Sequence, residues 1–228
     1  MPEQCGFIFD MDGTIVNNMR YHMKAWLELF EELGVSMAAE EFNRRLSGRT
    51  NPEILKRATG GTLSEEKIEN LATKKEARYR EIYQPHMELV PGLDYFLDQA
   101  QDQRIPMAVA TSAPGPNITY ILDRLHIRPY FLAVVGAEDV THSKPHPEMF
   151  LTTADRLTLP PANCIVFEDS LAGVEAARRA GMPTVALTTT HGTEEFRESA
   201  GVILATPDFT TLTPDILLHR VRNRHSPS

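Results

Sequence analysis

The chain has 228 residues, 42% of them hydrophobic and 24% charged, with Lys+Arg 23 against Asp+Glu 31 and a formal net charge of −8. That length buries a sizeable core without disulfide or metal staples, as one domain with an insertion or as two small ones. The acidic balance argues against a nucleic-acid binder held by phosphate neutralisation, and apolar runs such as 131–135 and 202–205 fall far short of the ~20 residues of a membrane span. Two cysteines, Cys5 and Cys164, make no disulfide framework, which suits a reducing compartment. Met1-Pro2-Glu3-Gln4 lacks a basic and then apolar leader pattern, so a soluble, cytoplasmic protein without a secretory signal is expected.

In chain order, residues 5–10 (CGFIFD) form a short apolar run ending in a carboxylate, the pattern of a buried strand, and Asp12-Gly13 signals a turn. Between 18 and 33, Met19, Met23, Trp26, Leu27, Phe30 and Leu33 recur at spacings of three and four, which predicts a helix closed by Gly34. Such a stripe reads as local core rather than a ligand box. Residues 38–83 are helical in character. Pro52 after Thr50-Asn51 is a helix start, Gly60-Gly61 is a break, and Ser64-Glu65-Glu66-Lys67 is a second capped start. From Pro91-Gly92 the rhythm changes. Apolar runs at 105–110, 132–135, 164–167, 184–187 and 202–204 alternate with helical patterns near 92–102, 116–126, 147–157, 171–180, 193–200 and 210–219. This alternation predicts an α/β fold, a parallel sheet with helices on both faces, to which the first strand at 7–9 also belongs. The expected organisation is a core of residues 1–17 and 85–228 interrupted by an all-helical domain at 18–84. The basic stretch from His219 to His225 reads as a solvated helix end.

Ligands of open parallel sheets bind outside the carboxyl ends of the strands. The first strand ends in Asp10, with Asp12 just beyond; the second ends in Thr111-Ser112; the loop after the third leads to Ser143-Lys144-Pro145; the fourth ends in Glu168-Asp169. Carboxylates gathered there repel one another unless a cation neutralises them, and hard oxygen ligands with open positions suit Mg²⁺. A carboxylate, a magnesium ion, a lysine and a hydroxyl are the parts that phosphoryl transfer needs. Asp10 is placed to attack phosphorus, and Asp12, two residues on, to protonate the leaving oxygen and then activate water. Lys144 would hold the negative charge, and Thr111, Ser112 and nearby backbone N–H groups the phosphate oxygens. Thr111 and Ser112 also suit a helix cap, a role compatible with phosphate binding.

These residues resemble the four motifs of the haloacid dehalogenase superfamily, in family order: Asp10-Met11-Asp12-Gly13-Thr14, Val109-Ala110-Thr111-Ser112, Ser143-Lys144-Pro145-His146-Pro147-Glu148, and the segment from Phe167-Glu168-Asp169-Ser170 to Ala177. The resemblance covers nearly the whole chain and implies a Rossmann-like core with a mobile helical cap between the first two motifs. It implies Asp10 as nucleophile and Asp12 as acid/base. It implies magnesium held by Asp10, the backbone carbonyl of Asp12, and Asp169, with Glu168 nearby. The stretch Asn18–Trp26 is similar to the β-phosphoglucomutase group, where a histidine at the position of His22 pairs with the acid/base Asp.

The chain departs from that group in the cap. Mutases of this kind carry a lysine and an arginine to grip the substrate's second phosphate, at places that are Ser47 and Asn51 here, with Arg49 between them as a candidate substitute. Losing two such contacts removes roughly 1.5–3 kcal/mol each. The expected activity is therefore a Mg²⁺-dependent phosphatase acting through an aspartyl phosphate on a small phosphorylated metabolite, a sugar phosphate. A sugar phosphomutase is the alternative, and a phosphate- or Mg²⁺-binding module without turnover is a third. A dehalogenase is disfavoured by Asp12, which those enzymes lack. No nucleic-acid or membrane partner is expected, and nothing in the sequence demands more than a monomer.

Three further patterns are set aside. Asp10-x-Asp12-Gly13 is no EF-hand loop, since Gly13 falls at the fourth place rather than the sixth. His142 and His146 have the i, i+4 spacing of a zinc pair, but Pro145 and Pro147 forbid a continuous helix, so zinc is not expected there. Cys5 and Cys164 read as buried apolar thiols on neighbouring strands rather than a redox pair.

Overall fold

The computed structural model describes residues 4–46 and 50–224. By chain contacts it divides into two units, Met1–Asn17 with Glu88–Ser228, and Asn18–Met87. The boundary after the helical unit falls three residues later than the sequence suggests, because a 3-10 turn at Gln84–His86 continues its last helix.

The first unit is built on strands β1 (Gly6–Phe9), β2 (Met107–Ala110), β3 (Ala133–Val135), β4 (Cys164–Glu168), β5 (Thr184–Leu187) and β6 (Val202–Thr206). All pair in parallel in the order β3-β2-β1-β4-β5-β6. The strands β1, β2, β4 and β5 are buried throughout, which is why they read as continuous apolar runs rather than alternating ones. Side chains still alternate between the two faces. Ile8 joins Val166, Ala108 and Ala110 in a core with Met149, Phe150 and Ala176. Phe7 and Phe9 join Phe167, Phe96 and Phe209 on the other side; the rings of Phe9 and Phe167 stack with centroids 4.5 Å apart. The order reverses between β1 and β4, and this switch point is where a parallel sheet opens a crevice.

The helical unit has α1 (Met19–Glu32), α2 (Ala39–Arg45), α3 (Asn51–Ala58) and α4 (Glu65–Tyr83). Its core is Trp26, Leu29, Phe30, Phe42, Leu46, Ile54, Leu55 and Ile68. On α1 the buried residues are Tyr21, Ala25, Trp26, Leu29 and Phe30, so the stripe is rotated from the one the sequence suggests, and Leu27 is only half-buried. The start of α3 is closed by Glu53, whose carboxylate accepts the Thr50 N–H at 3.0 Å, and that of α4 by Ser64, whose Oγ accepts the Lys67 N–H at 3.3 Å. Such caps contribute about 1 kcal/mol each.

The remaining helices belong to the first unit: α5 (Leu93–Asp102), α6 (Gly115–Arg124), α7 (Glu148–Arg156), α8 (Leu171–Arg179), α9 (Thr193–Phe196) and α10 (Pro214–Arg224). Two differ from expectation. The helix α9 is a single turn, and α10 begins at Pro214 rather than near 210. The preceding segment is pinned instead as a turn, with the Phe209 N–H on Pro91 O at 2.9 Å and Phe209 buried.

Candidate active site

The β1–β4 pairing sets the site. Asp10 comes directly after β1, and its N–H donates to Phe167 O at 2.9 Å, one rung beyond the strand, which puts it beside Glu168 at the end of β4. Asp169 is next in the chain. Lys144 comes from the loop between β3 and α7. Its Nζ lies 2.5 Å from Asp10 Oδ1, 2.7 Å from Glu168 Oε1 and 3.3 Å from Ala110 O, so three acceptors meet the three ammonium protons. Asp10, Lys144, Glu168 and Asp169 are all buried.

Three buried carboxyl groups face one ammonium, so that full ionisation would leave two negative charges in excess. Burial pushes Asp10 up to about 8, with Glu168 adding to the rise and Lys144 only partly offsetting it. Asp169 is pushed well above the carboxylate range by burial and by the charges of Glu168 and Asp10. Burial alone would lower the Lys144 ammonium, but Asp10 and Glu168 outweigh it and hold Lys144 above its usual range.

The arrangement fits a divalent cation. Oxygens of Asp10, Glu168 and Asp169 lie within 4.8 Å of one another; octahedral Mg²⁺ at about 2.1 Å per bond places its ligands about 3 to 4.2 Å apart. The donors are hard, and a charge of two matches the excess. Glu168 is the most committed of the three, since Oε1 takes Lys144 and Oε2 accepts the Ser170 N–H at 2.7 Å. That leaves Asp10 and Asp169 as the carboxylates with the freest oxygens for a metal.

The other residues singled out from the sequence take varied positions. Asp12 is half-buried in the tight turn after β1, pairs with Val16 through the backbone, and its charge adds to the rise of Asp10. Thr111, at the end of β2, is buried; its Oγ1 accepts the Ala113 N–H at 3.1 Å. Ser112 is exposed beside it. Within the helical unit, His22 stacks on Tyr79 with centroids 3.6 Å apart, and its Nδ1 lies 2.8 Å from Lys75 Nζ. Asn51 donates through its amide to Glu76 Oε1 at 2.7 Å. Ser47 and Arg49 lie outside the described residues.

Sequence reasoning missed the groups that hold these residues. Thr190 Oγ1 donates to Asp169 Oδ2, and Thr189 Oγ1 to Gly13 O. The signal was present: Thr188-Thr189-Thr190 comes directly after β5 on the same sheet edge. Two glycines admit the carboxylates. A Cβ on Gly13, at φ +84°, would lie 2.0 Å from Asp169 Oδ2, and one on Gly173 would lie 1.7 Å from Glu168 Oε1. In the helical unit, Lys75 and Glu76 are buried at 2.8 Å from each other.

A parallel sheet that gathers buried carboxylates and one lysine at its switch point defines an α/β protein built to bind a cation and an anionic, oxygen-rich ligand. The haloacid dehalogenase-like hydrolase pattern matches residues 7–187. Fructose-1-phosphate phosphatase YqaB of Escherichia coli is 35% identical over 180 residues, covering 79% of this chain and 94% of that protein. β-Phosphoglucomutase of Bacillus subtilis is 33% identical over 183 residues, covering 77% and 79%. The crystal structure of β-phosphoglucomutase from Clostridium difficile superposes with a TM-score of 0.84 at 26% identity, over 97% of this chain and 98% of that one. The chain belongs to the haloacid dehalogenase-like hydrolase family, in its β-phosphoglucomutase-like group. It is an enzyme acting on phosphoric monoesters, a hydrolase of that family with phosphomutase action as the alternative.

Proposed function

We propose that this protein is a Mg²⁺-dependent sugar-phosphate phosphatase working through an aspartyl phosphate on Asp10. The observation that carries the reading is Lys144 bridging Asp10 and Glu168 beside Asp169, three carboxyl groups to one ammonium. A bound magnesium ion, held by Asp10, Asp169 and the Asp12 backbone carbonyl, would neutralise that excess, keep Asp10 ionised at neutral pH and bind a phosphoryl oxygen.

The residues then divide the work. A carboxylate oxygen of Asp10 attacks phosphorus, and the bond to the ester oxygen breaks. The Asp12 carboxyl gives its proton to that leaving oxygen. A water then attacks the aspartyl phosphate, Asp12 takes the water's proton, and phosphate leaves with Asp10 restored. Lys144 stays charged throughout and balances the phosphoryl oxygens. Glu168 orients Lys144 and lies beside the metal. Thr111 and Ser112 present hydroxyl and backbone donors to the phosphate, and Lys144 remains within reach of it.

Hydrolysis is favoured over mutase action by Asn51. At a place where the mutases resembled here carry a cation, this chain has an amide already donating to Glu76. The reading includes His22 and Arg49 as substrate contacts, whose alanine variants raise KM for a sugar phosphate more than they lower kcat.

The test is ³¹P NMR with Mg²⁺ and β-glucose 1-phosphate, with a trace of the 1,6-bisphosphate, and in parallel with fructose 1-phosphate. Growth of inorganic phosphate, abolished in Asp10→Asn, is expected. Growth of glucose 6-phosphate without free phosphate would establish the mutase instead. No phosphorus chemistry on any sugar phosphate would overturn the sugar-phosphate reading.

A further inference from the structure

We propose that His142, His146 and Glu148 form a second metal site, for one divalent transition-metal ion of the zinc type, on the loop that carries Lys144. The site is separate from the carboxylate centre and does not depend on the phosphatase reading. It is assembled on the loop after β3 and the first residue of α7.

Pro145 and Pro147 do keep this segment from being helical. They do not keep the imidazoles apart. The loop turns back on itself, with the His146 N–H donating to Ser143 O at 3.0 Å, and the two rings come to rest with centroids 4.5 Å apart and tilted by 33°. One carboxylate oxygen serves both: Glu148 Oε2 lies 2.8 Å from His142 Nδ1 and 3.8 Å from His146 Nδ1. All three ligand atoms fall within 4.8 Å of one another.

The distances decide which ion fits. Tetrahedral Zn²⁺ with bonds of about 2.0–2.1 Å sets its ligand atoms about 3.3 Å apart. The two contacts of Glu148 straddle that value, one about half an ångström short and one about half an ångström long. The imidazoles are free to close the difference, since the side chains of His142 and His146 are 61% and 48% exposed. Two imidazole nitrogens and one carboxylate oxygen suit zinc, nickel or cobalt, and leave a fourth position for water. Magnesium, which takes oxygen ligands, has no claim here.

Glu148 is held ready. Its Oε1 accepts the Thr141 N–H at 2.8 Å and its Oε2 the His142 N–H at 2.9 Å. Each oxygen keeps a second lone pair, and that of Oε2 faces the imidazoles. These backbone donors fix the carboxylate in place beside the two rings. The ion would take the place of the proton between His142 and Glu148. It would also displace the long contact, 3.3 Å, from the Glu148 N–H to His146 Nδ1. His142 and His146 bracket Lys144-Pro145, so an ion gripping both ties down the segment that aims Lys144 at Asp10.

The experiment is a Zn²⁺ titration of the untagged full chain in millimolar Mg²⁺, read by competition with a chromogenic chelator and by Tm. Expected is one Zn²⁺ per chain that excess Mg²⁺ does not displace, with a rise in Tm. His142→Ala and His146→Ala should each weaken it by more than the roughly 10–100-fold that loss of an outer-shell partner costs. Asp169→Asn should leave it unchanged. Both histidines are exposed, so their variants keep the fold, which far-UV circular dichroism checks; His142→Gln gives a second, polar replacement. Co²⁺ in place of Zn²⁺ should show d–d absorption bands that vanish in the same variants. Absence of tight Zn²⁺ binding, displacement by Mg²⁺, or binding that both histidine variants retain would each overturn the proposal.

Discussion

Each unit of this protein buries one lysine among acids, and the acids move in opposite directions. In the helical unit Lys75 meets the carboxylate of Glu76, with His22 and Asn51 beside them. Burial would raise Glu76, but Lys75 and His22 outweigh it and bring the carboxyl down to about 2. In the sheet unit Lys144 meets Asp10 and Glu168 with Asp169 adjacent, and burial wins, taking Asp10 up to about 8. The difference is charge balance, not burial. One ammonium satisfies one carboxylate and makes a closed structural pair; the same ammonium among three carboxylates leaves a site that must recruit a cation. Residue types alone would not separate the two clusters.

The largest expected effect that would break this contrast is in the sheet unit. Asp10→Asn should lower phosphate release by about 10⁴-fold or more with the fold intact; activity within tenfold of the parent in a phosphate-release assay would refute its role. In the helical unit the main effect should be on stability. Glu76→Ala strands the Lys75 charge and should lose about 3–5 kcal/mol in urea unfolding, whereas Lys75→Met with Glu76→Leu together should recover most of it. A loss below about 1 kcal/mol in the single variant would mean that the pair is not closed. Gly173→Ala sharpens the comparison, because its Cβ would displace Glu168 and with it Lys144. A drop in kcat of about 10²-fold is expected from such a misplacement, with near-parental Tm.

The remaining effect is in pH. In metal-free protein the raised Asp10 binds a proton that the unfolded chain releases near 3.8. Its contribution is therefore complete below about 4 and is lost as pH rises through about 8. The depressed Glu76 does the reverse, contributing above about 4.5 and losing that as pH falls through about 2. Parent minus Asp10→Asn stability should thus fall between pH 5 and 8, by at most about 1.4 kcal/mol per pH unit, and saturating Mg²⁺ should flatten the slope. A flat difference without metal would contradict the shift of Asp10.

Much of the sheet unit was legible because a parallel sheet delivers every strand end to one edge. Asp10, Thr111 and Glu168-Asp169 stand out as the residues that end the apolar runs, and Lys144 lies along the loop after the third. The supporting groups were less visible. Gly173 reads as an ordinary helix residue until the Glu168 side chain is seen in the space of its missing Cβ. Lys75-Glu76 sits in a 19-residue helix rich in charge, where a consecutive pair looks solvated. Its burial depends on Trp26, His22 and Asn51, which are distant in sequence. The prolines around Lys144 spoke correctly against a helix but carried no information about how the loop folds back to join His142 and His146.

Calorimetric titration of the metal-free chain with Mg²⁺ at pH 7, in two buffers of different ionisation enthalpy, tests the charge-balance account most directly. One ion per chain should bind, displacing protons from Asp10 and Asp169, and Asp169→Asn should bind far more weakly while Glu76→Gln binds as the parent does. Binding that displaces no proton, or that survives Asp169→Asn unchanged, would show that the excess charge in the sheet unit is not what recruits the cation.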